Sequence, residues 1–291
     1  MNVYEIVKET LLAKMEKMEN GEIEGKWVKP WSLRRTRPIN WKSQRFYSGV
    51  NLWLLDGQGS EFLTFQQIKE LHSKDSNVKL RKGSKGNMVI FFKMVDKENE
   101  QNEIKQLPVL RYYHVYSLDD IDGLELRRPV ATYEHNPEEA ETQLNNALTD
   151  YFGRDGIPVR MTKSDGCYYT PAEHSITIPQ ERYFKHFNRY LSSLAHEAVH
   201  STAAKLNRTI SFDRDNPDYA FEELVAEFGA SLLLASFGVA DDLATDNNAA
   251  YIRSWLKHIK DMPSHKIISA MNKAQKAVDY ILGVESDTTA A

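Results

Sequence analysis

The sequence lacks the features that mark secreted and membrane proteins. It has 291 residues and a single cysteine, Cys167, so no internal disulfide can form and a reducing compartment fits. No apolar run is long enough to cross a bilayer, and the first twenty residues are studded with Lys and Glu and have no signal-peptide core. We therefore expect a cytoplasmic protein that contacts no membrane, in which Cys167 is a small buried apolar residue.

Short repeats and low-complexity segments are also missing. With 41% hydrophobic and 27% charged residues the composition is that of an ordinary soluble protein, and the length suggests two domains. The net charge of −4 is unevenly spread: residues 1–126 carry 20 basic and 18 acidic residues, whereas residues 127–291 carry 17 and 23. An anionic partner is therefore expected on the first half.

Acidic residues are absent between Lys26 and Tyr47, where seven basic residues are interleaved with aromatic ones. Cations can follow the phosphates of a single strand while the rings stack on its unpaired bases; a duplex hides its base faces. Trp27 and Trp41 fit a hydrophobic core equally well, but the segment as a whole indicates binding of single-stranded nucleic acid. With a basic glycine turn further on, the predicted DNA-binding residues are Lys26, Trp27, Lys29, Trp31, Arg34, Arg35, Arg37, Trp41, Lys42, Arg45, Tyr47, Arg81, Lys82 and Lys85. Exposed aromatics on the strands after that turn could extend the surface.

The second half contains His196-Glu197-Ala198-Val199-His200, an H-E-x-x-H motif. On a helix, His196 and His200 lie one above the other and can bind one metal ion. Glu197 points elsewhere and can take a proton from a water whose pKa a bound Zn²⁺ lowers to roughly 7. The alternative is a surface helix with two unrelated histidines. The metal interpretation is favoured by a flanking apolar stripe at helical spacing, made of Tyr190, Leu191, Leu194, Ala195 and Val199.

A three-ligand site needs one more donor, and an acidic helix follows the motif. We predict Glu223 as the third metal ligand and Glu227, four residues later, as an acid hydrogen-bonded to a ligand histidine. Small residues at Ala230 and Ser231 suggest close packing against the first helix. Glu222 is expected to face solvent. The alternative is an ordinary solvated acidic face. Zn²⁺ is the default ion for two histidines and a glutamate, with Mn²⁺ or Co²⁺ as alternatives.

Local patterns predict an α+β fold. We expect a helix over 3–19, a helix capped by Thr64, and strands 88–93 and 107–117 around a loop at 96–105. A helix starting at Asn136-Pro137 and three short strands precede the two metal helices, for which Asn188 and Asp218 are the predicted N-caps. Two further helices, over about 248–262 and 265–282 with Ser264 as the cap of the last, close the chain.

The whole chain resembles the ArdC-type antirestriction family. In the first half the matching segments are Pro38-Ile39-Asn40, Tyr47-Ser48-Gly49-Val50-Asn51, Leu63-Thr64-Phe65-Gln66-Gln67, Arg81-Lys82-Gly83-Ser84-Lys85-Gly86 and residues 118–123. In the second half they are Tyr168-Tyr169-Thr170-Pro171, Ile176-Thr177-Ile178-Pro179, the H-E-x-x-H motif with Ser201-Thr202, Leu206-Asn207-Arg208 and residues 219–227. After Thr202 the family usually has a glycine; Ala203, found here, favours continuing the helix.

This resemblance implies an N-terminal single-stranded-DNA-binding domain, expected over 1–126, a linker over 127–136, and a mainly helical zincin-like metallopeptidase domain over 137–291. It also implies a protein of a plasmid, phage or other mobile element that coats incoming single-stranded DNA and shields it from restriction. Two alternatives stay open. One is a regulatory metalloprotease that cleaves a protein repressor, and the other is a pure single-stranded-DNA-binding protein whose metal is structural.

Overall fold

The computed structural model describes residues 2–19, 37–55, 60–98, 104–128, 136–211, 213, 215–239 and 259–284. The helices of these ranges are α1 (Val3–Glu19), α2 (Val50–Leu54), α3 (Phe65–His72), α4 (Pro137–Asp155), α5 (Phe187–Ser201), α6 (Pro217–Phe237) and α7 (Ser264–Ile281). The strands are β1 (Ile39–Asn40), β2 (Glu61–Thr64), β3 (Lys79–Leu80), β4 (Asn87–Glu98), β5 (Ile104–Ser117), β6 (Ile121–Asp122), β7 (Val159–Thr162), β8 (Tyr168–Thr170) and β9 (Ser175–Pro179). The predicted helix over 248–262 lies mostly outside the described residues.

The first half is built on a four-stranded sheet in the order β1-β2-β5-β4. Its dominant unit is the antiparallel hairpin of β4 and β5, which is paired from Asn87–Val115 to Glu98–Ile104 and so is longer than predicted. Helix α3 follows β2 and is capped as expected, because Thr64 and Gln67 form a reciprocal capping box. A small apolar cluster of Leu63, Ile68, Val78, Leu118 and Ile121 fills the space between α3, the sheet and the short pair β3-β6.

The second half joins helices α4 to α7 to a three-stranded sheet in the order β7-β9-β8. Asn136 caps α4 as predicted, with Pro137 in its first turn. The other predicted caps of this half are wrong by one or two residues. Asn216 caps α6 by accepting from Asp218 N–H, since Pro217 fixes the first turn.

Two further predicted caps are also displaced. Helix α5 begins at Phe187, so Asn188 lies inside the helix and is buried. Helix α7 begins at Ser264 itself, and its hydroxyl donates to Glu5 Oε1 at 2.7 Å. The Ser264 hydroxyl therefore makes a tertiary contact and does not cap α7.

Helices α5 and α6 approach each other closely at Gly229. A Cβ placed on Gly229 would lie 2.6 Å from Val199 Cγ2 and 3.0 Å from its Cγ1, so a side chain there does not fit without a shift of one helix. The neighbouring positions Ala226 and Ala230 are also small and buried. This contact sets the separation at which the acidic face of α6 meets the H-E-x-x-H motif.

The two halves share one continuous apolar core. Helix α1 packs on α7, and Lys8 Nζ donates to the carbonyls of Lys260 and Met262 at 2.8 Å each. Gly49, with φ of 56°, lies against Asn272 of α7. The predicted α+β, two-domain architecture is confirmed, whereas the boundaries at 126 and 137 stay a prediction, with residues 129–135 outside the described ranges.

Among the described helices, none is both long and apolar enough to cross a membrane.

We expect Gly229→Ala to lower the free energy of unfolding by about 1–3 kcal/mol, because overpacking against the stiff, branched Val199 outweighs the better helix propensity of alanine. Gly153→Ala in α4 is the matched control. A Cβ there meets no described atom within 4 Å, so that variant should gain about 0.5–1 kcal/mol. Chemical denaturation measures both, and equal stabilisation of the two variants would contradict the close packing.

Candidate metal site

Three side chains from α5 and α6 converge on one point. His196 and His200 are one helical turn apart, and their Nε2 atoms lie 3.1 Å from each other. Glu223 of α6 places Oε2 3.7 Å from His196 Nε2 and Oε1 3.5 Å from His200 Nε2. The structure therefore brings together the three residues that the sequence analysis proposed as metal ligands.

The spacing of these three donors suits a divalent metal. Two ligands each about 2.0–2.1 Å from a tetrahedral ion lie about 3.4 Å from one another. The 3.1 Å between the two Nε2 atoms, and the 3.5 and 3.7 Å from them to the two oxygens of Glu223, lie near that value. With one ligand atom taken from each residue, the donors all lie within 4.8 Å of one another. Two neutral imidazoles and one carboxylate also form a donor set typical of catalytic zinc sites, which leave a fourth position open.

Glu197 lies beside the cluster, close enough for the charges of His200 and Glu223 to act on its carboxyl group. It is 7% exposed, and burial, only partly offset by His200, raises the pKa of its carboxyl group. The backbone N–H of Tyr169, on edge strand β8, donates to this carboxylate. A buried carboxyl group with a raised pKa next to a metal-ligand cluster is suited to moving protons.

Cys167 is half-buried, not fully buried as expected, and its thiol lies against Glu197. Burial, and then the negative charge of Glu197, raise the pKa of this thiol. Cys167 is not among the side chains that converge on the cluster, and a neutral thiol is a weak nucleophile.

The expectation that Glu222 faces solvent is wrong. Its side chain is 2% exposed and lies on the far side of His200, where Oε1 is 3.3 Å from His200 Nδ1. Arg208 contacts both oxygens of the same carboxylate: its Nε is 3.1 Å from Glu222 Oε2 and its Nη2 is 2.9 Å from Glu222 Oε1. Arg208 also donates to Thr202 Oγ1 at 2.9 Å and to the Val199 carbonyl at 2.7 Å.

This network sets the charge state of His200. Burial lowers the pKa of His200, but the hydrogen bonds to Glu222 and Glu223 outweigh it and raise the pKa to about 9. Burial raises the pKa of Glu222, but its bonds to His200 and Arg208 win and hold that pKa below its usual range. In the metal-free protein this favours a protonated His200. An ion bound at Nε2 would displace the proton from that atom and leave Nδ1–H directed at the ionised Glu222.

His196 has weaker support on its outer side. Glu227 Oε1 lies 3.7 Å from His196 Nδ1, which is an electrostatic contact and longer than a hydrogen bond. Burial, and then the neighbouring His200, lower the pKa of His196 and favour the neutral, metal-binding form. The predicted hydrogen bond from a ligand histidine to Glu227 stays a prediction.

Helix α5 ends immediately after His200 even though Ala203 favours a longer helix. Thr202 is the C-cap residue of α5. In the turn that follows, the Ala203 N–H donates to the His200 carbonyl at 2.9 Å. The turn brings Arg208 back to the end of α5, and the backbone N–H of Arg208 donates to the Ala203 carbonyl at 2.8 Å. Periodicity could not place Arg208 here, although the Leu206-Asn207-Arg208 segment is part of the family resemblance.

The predicted DNA-binding residues fall into three groups. Lys26, Trp27, Lys29, Trp31, Arg34 and Arg35 lie outside the described residues. Tyr47 is 4% exposed and packs edge-on against Phe62, so its predicted stacking on a base is wrong. Arg37 is half-buried and donates to the Tyr47 carbonyl at 2.8 Å.

The remaining predicted DNA-binding residues lie at the surface. Trp41 is half-buried: its Nε1 donates to the Glu125 carbonyl and Arg127 covers its ring at 4.5 Å. Lys42 pairs with Glu70, and Arg81 with Asp122 at 2.8 Å. Arg45, Lys82 and Lys85 are exposed.

Family comparisons match both halves. Residues 1–116 match the N-terminal domain of anti-restriction factor ArdC, and residues 146–273 match a zincin-like metallopeptidase. The crystal structure of the antirestriction ArdC protein from plasmid R388 is similar over the whole chain. Its metal-free form is 32% identical with a TM-score of 0.69, covering 97% of each chain. Its Mn(II)-bound form is 30% identical with a TM-score of 0.69, covering 99% of this chain and all of the other.

Two curated proteins named DNA primase TraC, from Escherichia coli, are more distant. Each is 26% identical, over 97% and 89% of this chain. The alignments cover 20% and 25% of the primases, so the chain spans about a fifth to a quarter of the length of these relatives.

Neutralising the buried pair behind His200 should weaken metal binding without unfolding the protein. The double variant Glu222→Gln/Arg208→Met removes both charges, so it avoids the uncompensated buried charge that either single change would leave. We expect its affinity for a divalent ion to fall roughly 10- to 100-fold, because His200 loses the acid that orients it. Calorimetric titration with Zn²⁺ measures the affinity.

Glu139→Gln, a charge removal on the exposed start of α4, is the matched control and should bind metal as the wild type does. Unchanged affinity in a folded double variant would mean that His200 is held by packing alone.

Proposed function

Because the chain belongs to the ArdC family of antirestriction proteins, we propose that it is a single-stranded-DNA-binding antirestriction protein with a metal-dependent peptidase domain. The observation that carries the peptidase part is the convergence of His196, His200 and Glu223 beside the buried Glu197. A Mn(II)-bound form of the R388 protein supports a divalent ion. Zn²⁺ is our choice for the native ion, with Mn²⁺ or Co²⁺ as alternatives.

Each residue around the cluster would have a separate role in peptide hydrolysis. A divalent ion held by His196, His200 and Glu223 would supply Lewis-acid activation of water and of a scissile carbonyl. Glu197 accepts a proton from the attacking water and donates it to the leaving amine, a role that its raised pKa suits. Glu222 and Arg208 keep the Nε2 atom of His200 facing the cluster throughout. The substrate would be a protein or peptide.

The metal and the general base have separable tests. Wild-type protein should hold about one equivalent of metal by elemental analysis, and His200→Ala should lose it. Glu197→Gln should keep the metal but lose at least about 100-fold in peptide cleavage, because only the proton acceptor is gone. Cleavage of an unfolded protein substrate, followed by mass spectrometry, measures the second effect.

A result with metal retained in His200→Ala would refute the ligand assignment. If Glu197→Gln cleaved as fast as the wild type, or if wild type with full metal cleaved nothing, the metal would be structural and the chain a pure DNA-binding protein.

The DNA-binding part rests on the acid-free basic and aromatic segment over 26–47. We expect tighter binding to single strands than to duplex of the same length, with affinity that falls steeply with salt. Charge reversal at Arg34 and Arg35 should weaken binding to all sequences alike. Fluorescence anisotropy with labelled oligonucleotides measures both effects, and equal affinity for single strand and duplex would contradict base stacking.

Protection in the cell separates the two activities. Unmodified plasmid entering a restricting host as a single strand should survive better with the wild type than with the Arg34 and Arg35 reversals. The same assay on Glu197→Gln shows whether cleavage contributes, and a regulatory protease would lose its effect in that variant.

A further inference from the structure

A row of aromatic side chains runs along one face of strand β5. Tyr112, His114 and Tyr116 are two residues apart and so lie on the same face. The rings of Tyr112 and His114 are 6.0 Å apart, and Phe65 at the start of α3 extends the row, with its ring 6.3 Å from that of Tyr116. Tyr112 is 44% and Phe65 47% exposed, and His114 is exposed as well. Ring surface is thus accessible at Tyr112, His114 and Phe65, whereas Tyr116 is half-buried.

Lysines flank one end of this row. Lys69 Nζ lies 4.9 Å above the Phe65 ring. Gly86 packs its backbone against the row: a Cβ there would come within 2.9 Å of His114 Cβ and 3.3 Å of Tyr116 Cζ. The adjoining Lys82 and Lys85 are exposed. The basic glycine turn is therefore joined directly to the aromatic row.

The other end of the row leads into a cleft between the two halves. Ile90 pairs with Tyr112 across the hairpin, so Phe92, two residues further along β4, lies on the same face. Phe92 lines a cleft of about 360 Å³ whose other walls come from α1 and α7. The polar and aromatic residues of those walls are Tyr4, His265, Asn272, Lys273 and Lys276. Among the described lining residues there is no carboxylate.

The chemistry of this path favours one kind of partner. Rings exposed at a spacing of about 7 Å along a strand, with cations at both ends, can stack bases and neutralise phosphates. A peptide would not need cations at both ends, and a duplex would leave the rings unused. The second half is acidic overall, with 17 basic and 23 acidic residues, yet the part of α7 that meets the path presents only lysines, a histidine and neutral side chains.

We propose that single-stranded nucleic acid lies along this path, the aromatic track, from Phe65 over β5 to Phe92, and then enters the cleft against Lys273 and Lys276. The peptidase half thus contributes phosphate contacts, and the bound strand spans both halves. The inference rests on the proposed single-stranded-DNA binding but adds a surface that the basic segment over 26–47 does not include.

Two variants test the track by anisotropy with a fluorescent oligo(dT) of about 20 nucleotides. Tyr112→Ala should weaken binding at least about fivefold, and Tyr112→Phe, which keeps the ring, should bind like the wild type. Lys273→Ala/Lys276→Ala should weaken binding and reduce the slope of log affinity against log salt by about 1.4, which is about 0.7 for each phosphate that a lysine no longer neutralises. Lys163→Ala/Lys185→Ala removes two exposed lysines of the same half outside the track and should leave the slope unchanged.

The outcomes separate the track from the proposed function. If wild type binds oligo(dT) but Tyr112→Ala and the Lys273/Lys276 variant bind as the wild type does, the track is refuted and single-stranded-DNA binding stands. Weaker binding by the lysine variant with no change in Tyr112→Ala would refute stacking and leave a charged surface only. If wild type binds no oligo(dT), the proposed DNA-binding function itself fails.

Discussion

The close contact of α5 with α6 at Gly229 is the constraint on which the metal cluster depends. The two imidazoles come from one helix and the carboxylate from the other, so the separation of the helices fixes the separation of the donors. Val199, which contacts Gly229, lies directly before His200 in the sequence. A wider approach would move Glu223 away from both histidines while leaving each helix intact. The small residues on α6 therefore serve the chemistry as well as the packing.

The buried Glu222–Arg208 pair is better explained by geometry than by stability. Both side chains are almost fully enclosed, and taking two charges out of water costs about as much as their attraction returns. The pair instead fixes the orientation of the His200 ring. Arg208 binds the last turn of α5 at Val199 and Thr202 and holds Glu222 against His200, so a single side chain links the helix end, the acid and the ligand. Similar acids behind ligand histidines tune metal sites in general.

Much of the fold and part of the site could be predicted from sequence. The four-residue spacing of His196 and His200 and the capping box at Thr64 are local signals, so they can be recognised without knowing the tertiary structure. The prediction that Glu222 faces solvent is wrong because its partner Arg208 lies 14 residues earlier, in an irregular turn that no periodicity predicts. Tyr47 was misplaced because an aromatic ring within a basic segment has the same sequence signature whether it stacks on a base or packs on Phe62. The α7 wall of the cleft depends on contact between distant halves, which composition does not reveal.

Two halves with opposite net charge thus share one core and carry two kinds of chemistry, a cluster of metal donors and a surface of rings and cations. The donor cluster depends on two helices held at a fixed distance, whereas the rings lie mainly on the β4–β5 hairpin. Diffraction data collected at the absorption edge of the metal, on crystals of the metal-loaded protein, locate the ion directly. We predict one anomalous peak about 2.0–2.2 Å from His196 Nε2, His200 Nε2 and a Glu223 oxygen. A peak elsewhere, or an ion at the histidines with Glu223 turned away and no other acid in its place, would contradict the assigned site.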